Sequence, residues 1–144
     1  MTLRILGLFF FAFVACGESG TVTEEFAGRW TFDEGSVVTV SCPSQDDVVN
    51  SIANTGLEIE ELEGNGLRIT NSVPCVFEYA VSGNTARLEP TPQVCDVPDG
   101  QGGTTVETRM TETIVFSDNM LSLETSGTLA IAGCTISVTG SLSR

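Results

Sequence analysis

The stretch TVETRMTETIVFSDNMLSLETSGTLAI, residues 105–131, alternates apolar and polar side chains on both sides of Asp118-Asn119. Successive side chains of a strand point to opposite faces, and Asp and Asn tolerate the left-handed backbone of a tight turn, so this pattern is that of a β-hairpin. It predicts strands over Thr105–Phe116 and Met120–Ile131, with Phe116 facing Leu121, Ile114 facing Leu123, Glu112 facing Thr125 and Met110 facing Gly127. One acid, Glu112, then points to the same side as the apolar residues, in a layer with Thr125 and Gly140 that is polar or empty.

The same grammar extends to the rest of the chain. Leu57–Leu62 and Leu67–Thr70 join through Gly64-Asn65-Gly66, Cys75–Val81 and Thr85–Pro90 turn at Gly83-Asn84, and Cys134–Leu142 closes the sequence. A slip in apolar parity between Ile59 and Leu62 predicts a bulge near Glu60-Glu61. From Gly28 to Cys42 the residues Trp30, Phe32, Val38 and Val40 keep even positions, which predicts one long strand bent near Gly35, with Glu34 and Ser36 sharing its inward parity. Only 44–54 reads as a helical turn, with Val48, Val49 and Ile52 on one side. The fold class is therefore all-β: eight strands in sequential antiparallel order, able to close as an up-and-down barrel that leaves no exposed edge. Glycines 35, 127 and 140 also admit the opposite reading for Glu34 and Glu112, in which bends or bulges there turn both acids outward.

Strand direction along such a meander brings Cys42, Cys75, Cys95 and Cys134 to one rim and the tight turns to the other. Cys75 and Cys95 flank one hairpin, while Cys42 and Cys134 lie on the two strands that meet at closure. The pairs Cys42–Cys134 and Cys75–Cys95 are thus preferred among the three possible connectivities. The spacings of 33, 20 and 39 residues between these cysteines lack the close pairs of a zinc site. The longer links, 43–56, 71–74 and 91–104, fall at the cysteine rim, where a rigid scaffold usually presents its binding surface.

Charge narrows the function. The six basic residues are all arginine, 19 residues are acidic, and the net charge is −13. Such a surface repels nucleic acid, since phosphate is bound by Lys and Arg. With neither lysine nor histidine, the commonest metal ligand, the usual general base and Schiff-base chemistry are all missing. No catalytic set, metal or cofactor is expected. Glu58, Glu60, Glu61 and Glu63, with Asp46-Asp47, Asp96 and Asp99 in the rim loops, read as a solvated acidic face, and Arg29, Arg68, Arg87 and Arg109 as outward partners among them. Glu34 and Glu112, if both point inward, supply the two carboxylates that acid/base catalysis needs at minimum. That is the remote alternative to a non-catalytic protein.

Before the barrel stands a leader: Arg4, then an apolar core over Ile5–Val14 that is ten residues long, half of what a permanent membrane helix requires. The residues Phe13-Val14-Ala15-Cys16 resemble the lipobox of bacterial lipoproteins. That resemblance implies a signal peptide over 1–15, a diacylglyceryl group on Cys16 and a tether over 16–25 ahead of a β-barrel domain over 26–144. Gly17 in place of an aspartate favours the outer membrane. Gly28-Arg29-Trp30, opening the first strand, resembles the G-x-W of lipocalins and related calycin barrels, which implies that Trp30 packs across a closed end and that the open end takes a small apolar ligand. The domain as a whole resembles small cysteine-containing β-rich envelope lipoproteins. The expectation is a disulfide-stapled cell-envelope lipoprotein, membrane-bound through its lipid at the tight-turn end. Its loop rim or barrel mouth then binds a small molecule or an envelope protein, and no nucleic acid. The alternative is a structural surface lipoprotein with a filled core.

Overall fold

The computed structural model describes residues 22–71, 75–98, 102–130 and 133–144. Cys16 with its leader, and the rim residues Asp99 and Ile131, lie outside them. Eleven strands follow one another: β1 (Gly28–Phe32), β2 (Val37–Ser41), β3 (Val48–Ser51), β4 (Gly56–Leu62), β5 (Gly66–Asn71), β6 (Val76–Ser82), β7 (Thr85–Leu88), β8 (Gln93–Pro98), β9 (Thr104–Ser117), β10 (Met120–Leu129) and β11 (Cys134–Ser143). Every pairing is antiparallel: β4 to β7 pair in sequence, β7 pairs with β9, β9 to β11 pair in sequence, and β1 pairs with both β4 and β11. The strands β1, β4, β5, β6, β7, β9, β10 and β11 therefore close into an eight-stranded antiparallel barrel, the architecture expected. The tight turns use the residues that the sequence offers for left-handed backbone: Asn65 has φ 64°, Gly83 φ 58°, and Asp118 and Asn119 φ 54° and 62°.

The long first strand is bent as anticipated. Both β1 and β2 run antiparallel to β11, β2 along its beginning (Thr39 opposite Ser137) and β1 at its end (Phe32 opposite Leu142), and the break between them holds Gly35 at φ 90°. The bend presses onto β11 at Gly140, where an added Cβ would stand 2.6 Å from Ser36 Oγ. Only glycine fits that approach.

Four expectations are corrected. Residues 44–54 form no helical turn; they contain β3, whose pairing with β2 (Val38 opposite Asn50) nearly continues the register of β4 on β1 (Arg29 opposite Glu58). The free edge of β2 offers ladder partners, and the β-branched Val48-Val49 accept a strand readily, so tertiary pairing overrides the local helical spacing. The register of β4 on β5 is unbroken from Leu57 opposite Asn71 to Leu62 opposite Gly66, with no bulge at Glu60-Glu61. Parity slips there only because Glu61 lies near the strand end, with its side chain in solvent. The link 91–104 is not simply a loop, since it contains β8, paired with β9. And the β9–β10 hairpin carries a bulge, described below, that removes Met110 from the inner face.

The two ends of the barrel are built differently. At the tight-turn end, residues Val22–Glu25, read from sequence as the last part of a tether, form a 3-10 turn. Trp30 is only 1% exposed there and donates from Nε1 to Phe26 O at 2.7 Å. Phe116 meets Trp30 edge-on at 6.4 Å and Phe26 at 5.9 Å. Arg144, to which the sequence assigned no role, lies over the Trp30 ring at 4.4 Å and donates to Glu25 O and Ala27 O, both at 2.9 Å. A buried aromatic plug capped by a cation on its face closes this end.

At the other end lie the disulfides Cys42–Cys134 and Cys75–Cys95, with Cα separations of 4.2 and 5.7 Å, the pairs that strand direction favours. The wall here is less continuous. Among the described residues β3 has a ladder partner only in β2, and β8 only in β9. The β8–β6 seam is held instead by Gln93, whose side-chain amide donates to Glu78 O at 2.7 Å and accepts from Glu78 N at 3.0 Å, and by the Cys75–Cys95 bridge.

Candidate functional site in the barrel mouth

The register of the β9–β10 hairpin decides what the barrel contains. Phe116 opposes Leu121, Ile114 opposes Leu123 and Glu112 opposes Thr125, as the alternation predicts; then the register shifts, and Gly127 opposes Arg109 instead of Met110. The extra residue puts Met110 and Thr111 both outward and turns Arg109 and Glu107 inward. Residues 109 and 112 would occupy opposite faces of a regular strand. The bulge brings them to one face. Gly127 permits it, because an added Cβ would stand 2.7 Å from Thr108 O and 3.3 Å from Arg109 Cα.

The result is a buried ionic cluster. Glu107, Arg109 and Glu112 are 5, 8 and 3% exposed. Arg109 donates from Nε and Nη2 to Glu107 Oε1 at 3.0 and 2.8 Å, and from Nη1 to Glu112 Oε2 at 2.5 Å. Its guanidinium stacks on the Phe77 ring at 3.8 Å. Burial opposes the charge on Arg109, but the carboxylates of Glu112 and Glu107 outweigh that penalty and hold the group protonated, above its ordinary range. Burial also pushes the Glu112 carboxyl above the usual carboxylate range, against the pull of Arg109 and of the neighbouring Tyr79 and Thr125 hydroxyls. The Tyr79 phenol is raised by burial and then by the Glu112 charge. Tyr79 Oη and Thr125 Oγ1 are buried beside this carboxylate without a hydrogen bond of good geometry.

The cluster borders a cavity of about 240 Å³ lined by Glu107, Arg109, Glu112 and Thr125, with apolar walls from Phe32, Val38, Leu57, Ile69, Leu123 and Ile136 among others. A second depression, about 340 Å³, runs past Arg29, Glu58 and Thr70, but it is a solvent-open groove whose polar side chains are exposed or half-exposed. The mouth cavity is the candidate site.

The sequence placed these residues unevenly. Of the two readings left open for Glu112, the inward one matches its position, 3% exposed, while the outward turn at a bend applies to Glu34. Glu34 is exposed, because the bend at Gly35 turns it out, so Glu34 and Glu112 do not converge and the two-carboxylate arrangement is not formed. Arg109, read as an outward partner of surface acids, is instead the cation at the centre of the cavity floor. Arg29 and Arg68 do sit outside, 3.7 Å from Glu58 and 3.2 Å from Glu78, in exposed pairs worth about 0–1 kcal/mol each. Glu107 was not singled out at all. Gly127 was the available signal, since a glycine within an otherwise regular strand pattern marks a bulge and hence a change of parity. Among the described residues no group of His, Cys, Asp and Glu is arranged to hold a metal ion. Comparison with known proteins finds no matching family model, curated protein or solved structure.

Proposed function

We propose that this chain is an exported lipoprotein, acylated at Cys16, most consistent with the outer membrane of a bacterial envelope, whose barrel mouth binds a small molecule without turning it over. The observation that carries this reading is the cavity itself, an apolar-walled space with a few convergent polar groups at its floor, which is the usual form of a ligand site. Two further features support it. The paired cysteines suit an oxidising compartment. The described residues begin with Val22 at the plugged end, so a lipid on Cys16 would hold that end to the membrane and leave the mouth directed away from it.

Native mass spectrometry of the detergent-extracted protein tests the binding half. A bound small molecule that dissociates on activation is expected, and a clean ligand-free mass from native membranes supports instead a purely structural surface lipoprotein. Intact mass under denaturing conditions tests the anchor: the expected species starts at Cys16 and carries acyl chains, and a mature chain starting elsewhere without lipid contradicts it.

A further inference from the structure

Accepting that the mouth binds a ligand, we propose that the ligand is a small primary amine with an apolar body, its ammonium group seated among Glu107, Glu112 and Thr125. Charge is the first reason. Two carboxylates face one guanidinium on the cavity floor, a surplus of one negative charge, inside a chain whose net charge is already −13. An anion entering this space meets repulsion at every range, whereas a cation is drawn in and completes the balance.

Hydrogen-bonding capacity is the second reason. Arg109 occupies only Oε1 of Glu107 and only Oε2 of Glu112, so each carboxylate keeps an oxygen that Arg109 does not use. Thr125, paired in register with Glu112 and lining the cavity, is 6% exposed, and its Oγ1 makes no hydrogen bond of good geometry. A buried hydroxyl left in that state costs roughly 1–3 kcal/mol, which a ligand group is positioned to relieve. Two carboxylate oxygens and a hydroxyl oxygen make three acceptors, and an ammonium has three donors and no acceptor. A ligand hydroxyl supplies one donor and no charge.

Size is the third. The cavity, about 240 Å³, is smaller than the roughly 300–1,000 Å³ of ordinary small-molecule sites. It excludes long-chain lipids and selects a compact body, one aromatic ring or a short alkyl chain, against walls such as Leu57, Ile69 and Ile136.

A ligand series that changes only the head group tests this without any variant. The full mature chain in detergent is titrated calorimetrically with phenethylamine, 2-phenylethanol and phenylacetate at neutral pH. The amine is expected to bind at least tenfold more tightly than the alcohol, and the carboxylate not to bind. Glu107→Gln and the near-isosteric Thr125→Val are each expected to weaken the amine about tenfold and leave the alcohol within twofold. Their melting temperatures are compared with wild type, so that lost binding is not mistaken for lost folding. An alcohol that binds as tightly as the amine overturns the amine inference and leaves the binding reading standing. Absence of binding by all three also overturns it, and the native mass of the extracted protein then decides whether the binding reading falls as well.

Discussion

At the plugged end of the barrel, Trp30, Phe26 and Phe116 fill the interior with aromatic surface and Arg144 seals it from outside; at the mouth, the interior holds two acids, an arginine and a cavity, and the wall is stitched by disulfides. The same barrel thus encloses both a dry, close-packed plug and a charged, incompletely filled chamber. The plug stabilises through burial and needs no covalent help. The chamber places charge inside, which burial alone opposes, and both disulfides lie at that end. A protein needing only a stable scaffold gains nothing from such a chamber, and replacing a buried ion cluster by well-packed apolar residues is often neutral or stabilising.

Removing covalent support from the mouth is expected to have the largest effect. The Cys42–Cys134 bridge spans 92 residues, so on loop entropy the double change Cys42→Ser, Cys134→Ser is expected to cost about 5 kcal/mol in chemical denaturation. The Cys75–Cys95 bridge spans 20 residues and should cost about 3 kcal/mol. Equal losses would mean that the two bridges do not act through the unfolded chain as described.

Next is the plug. Trp30→Ala removes a fully buried indole, its bond to Phe26 O and the ring under Arg144, and is expected to cost about 3–5 kcal/mol while leaving ligand affinity at the mouth within a few-fold. A large loss of affinity in a folded Trp30→Ala protein would break the separation of the two ends.

Arg109→Met sharpens the contrast from the other side. It leaves Glu107 and Glu112 buried without their cation, a change that typically costs about 3–5 kcal/mol. Sign follows from linkage. A carboxyl whose folded pKa is raised weakens the fold as pH climbs past the ordinary glutamate range, so the Arg109→Met deficit should shrink as pH falls toward about 4. A deficit that grows on acidification contradicts a buried Glu112 whose carboxyl lies above its ordinary range.

The smallest of these effects is at the bulge. Gly127→Ala forces a Cβ against the Thr108 carbonyl and is expected to cost about 1–3 kcal/mol. It should also weaken ligand binding, because the shifted register that turns Arg109 and Glu107 inward depends on that approach. Neutral behaviour in both assays would show that Gly127 is not what admits the bulge.

What the sequence disclosed and what it hid follow from the same periodicity. Alternation reports which face a residue takes as long as the ladder is regular, and so the closed barrel, the Glu112–Thr125 layer and both disulfide pairs are legible in it. It fails wherever a residue is inserted or the chain kinks. Arg109 and Glu107 sit beyond a one-residue insertion that Met110, apolar and of suitable parity, disguised; Glu34 sits at a bend that Gly35 marked but whose direction periodicity does not encode. Pairing between distant segments is equally invisible locally, which is why Val48 and Val49 read as helical although β2 draws them into a strand. Arg144 belongs to the same class, since only the closed barrel brings the last residue onto Trp30.

The most direct test is a carboxyl ¹³C NMR titration of Glu112 in the intact protein, with and without phenethylamine. The predicted result is a midpoint above the ordinary glutamate range that moves down when the amine binds, as a cation seated beside the carboxylate requires. An ordinary midpoint, or one indifferent to the amine, would contradict a charged binding chamber in the barrel mouth.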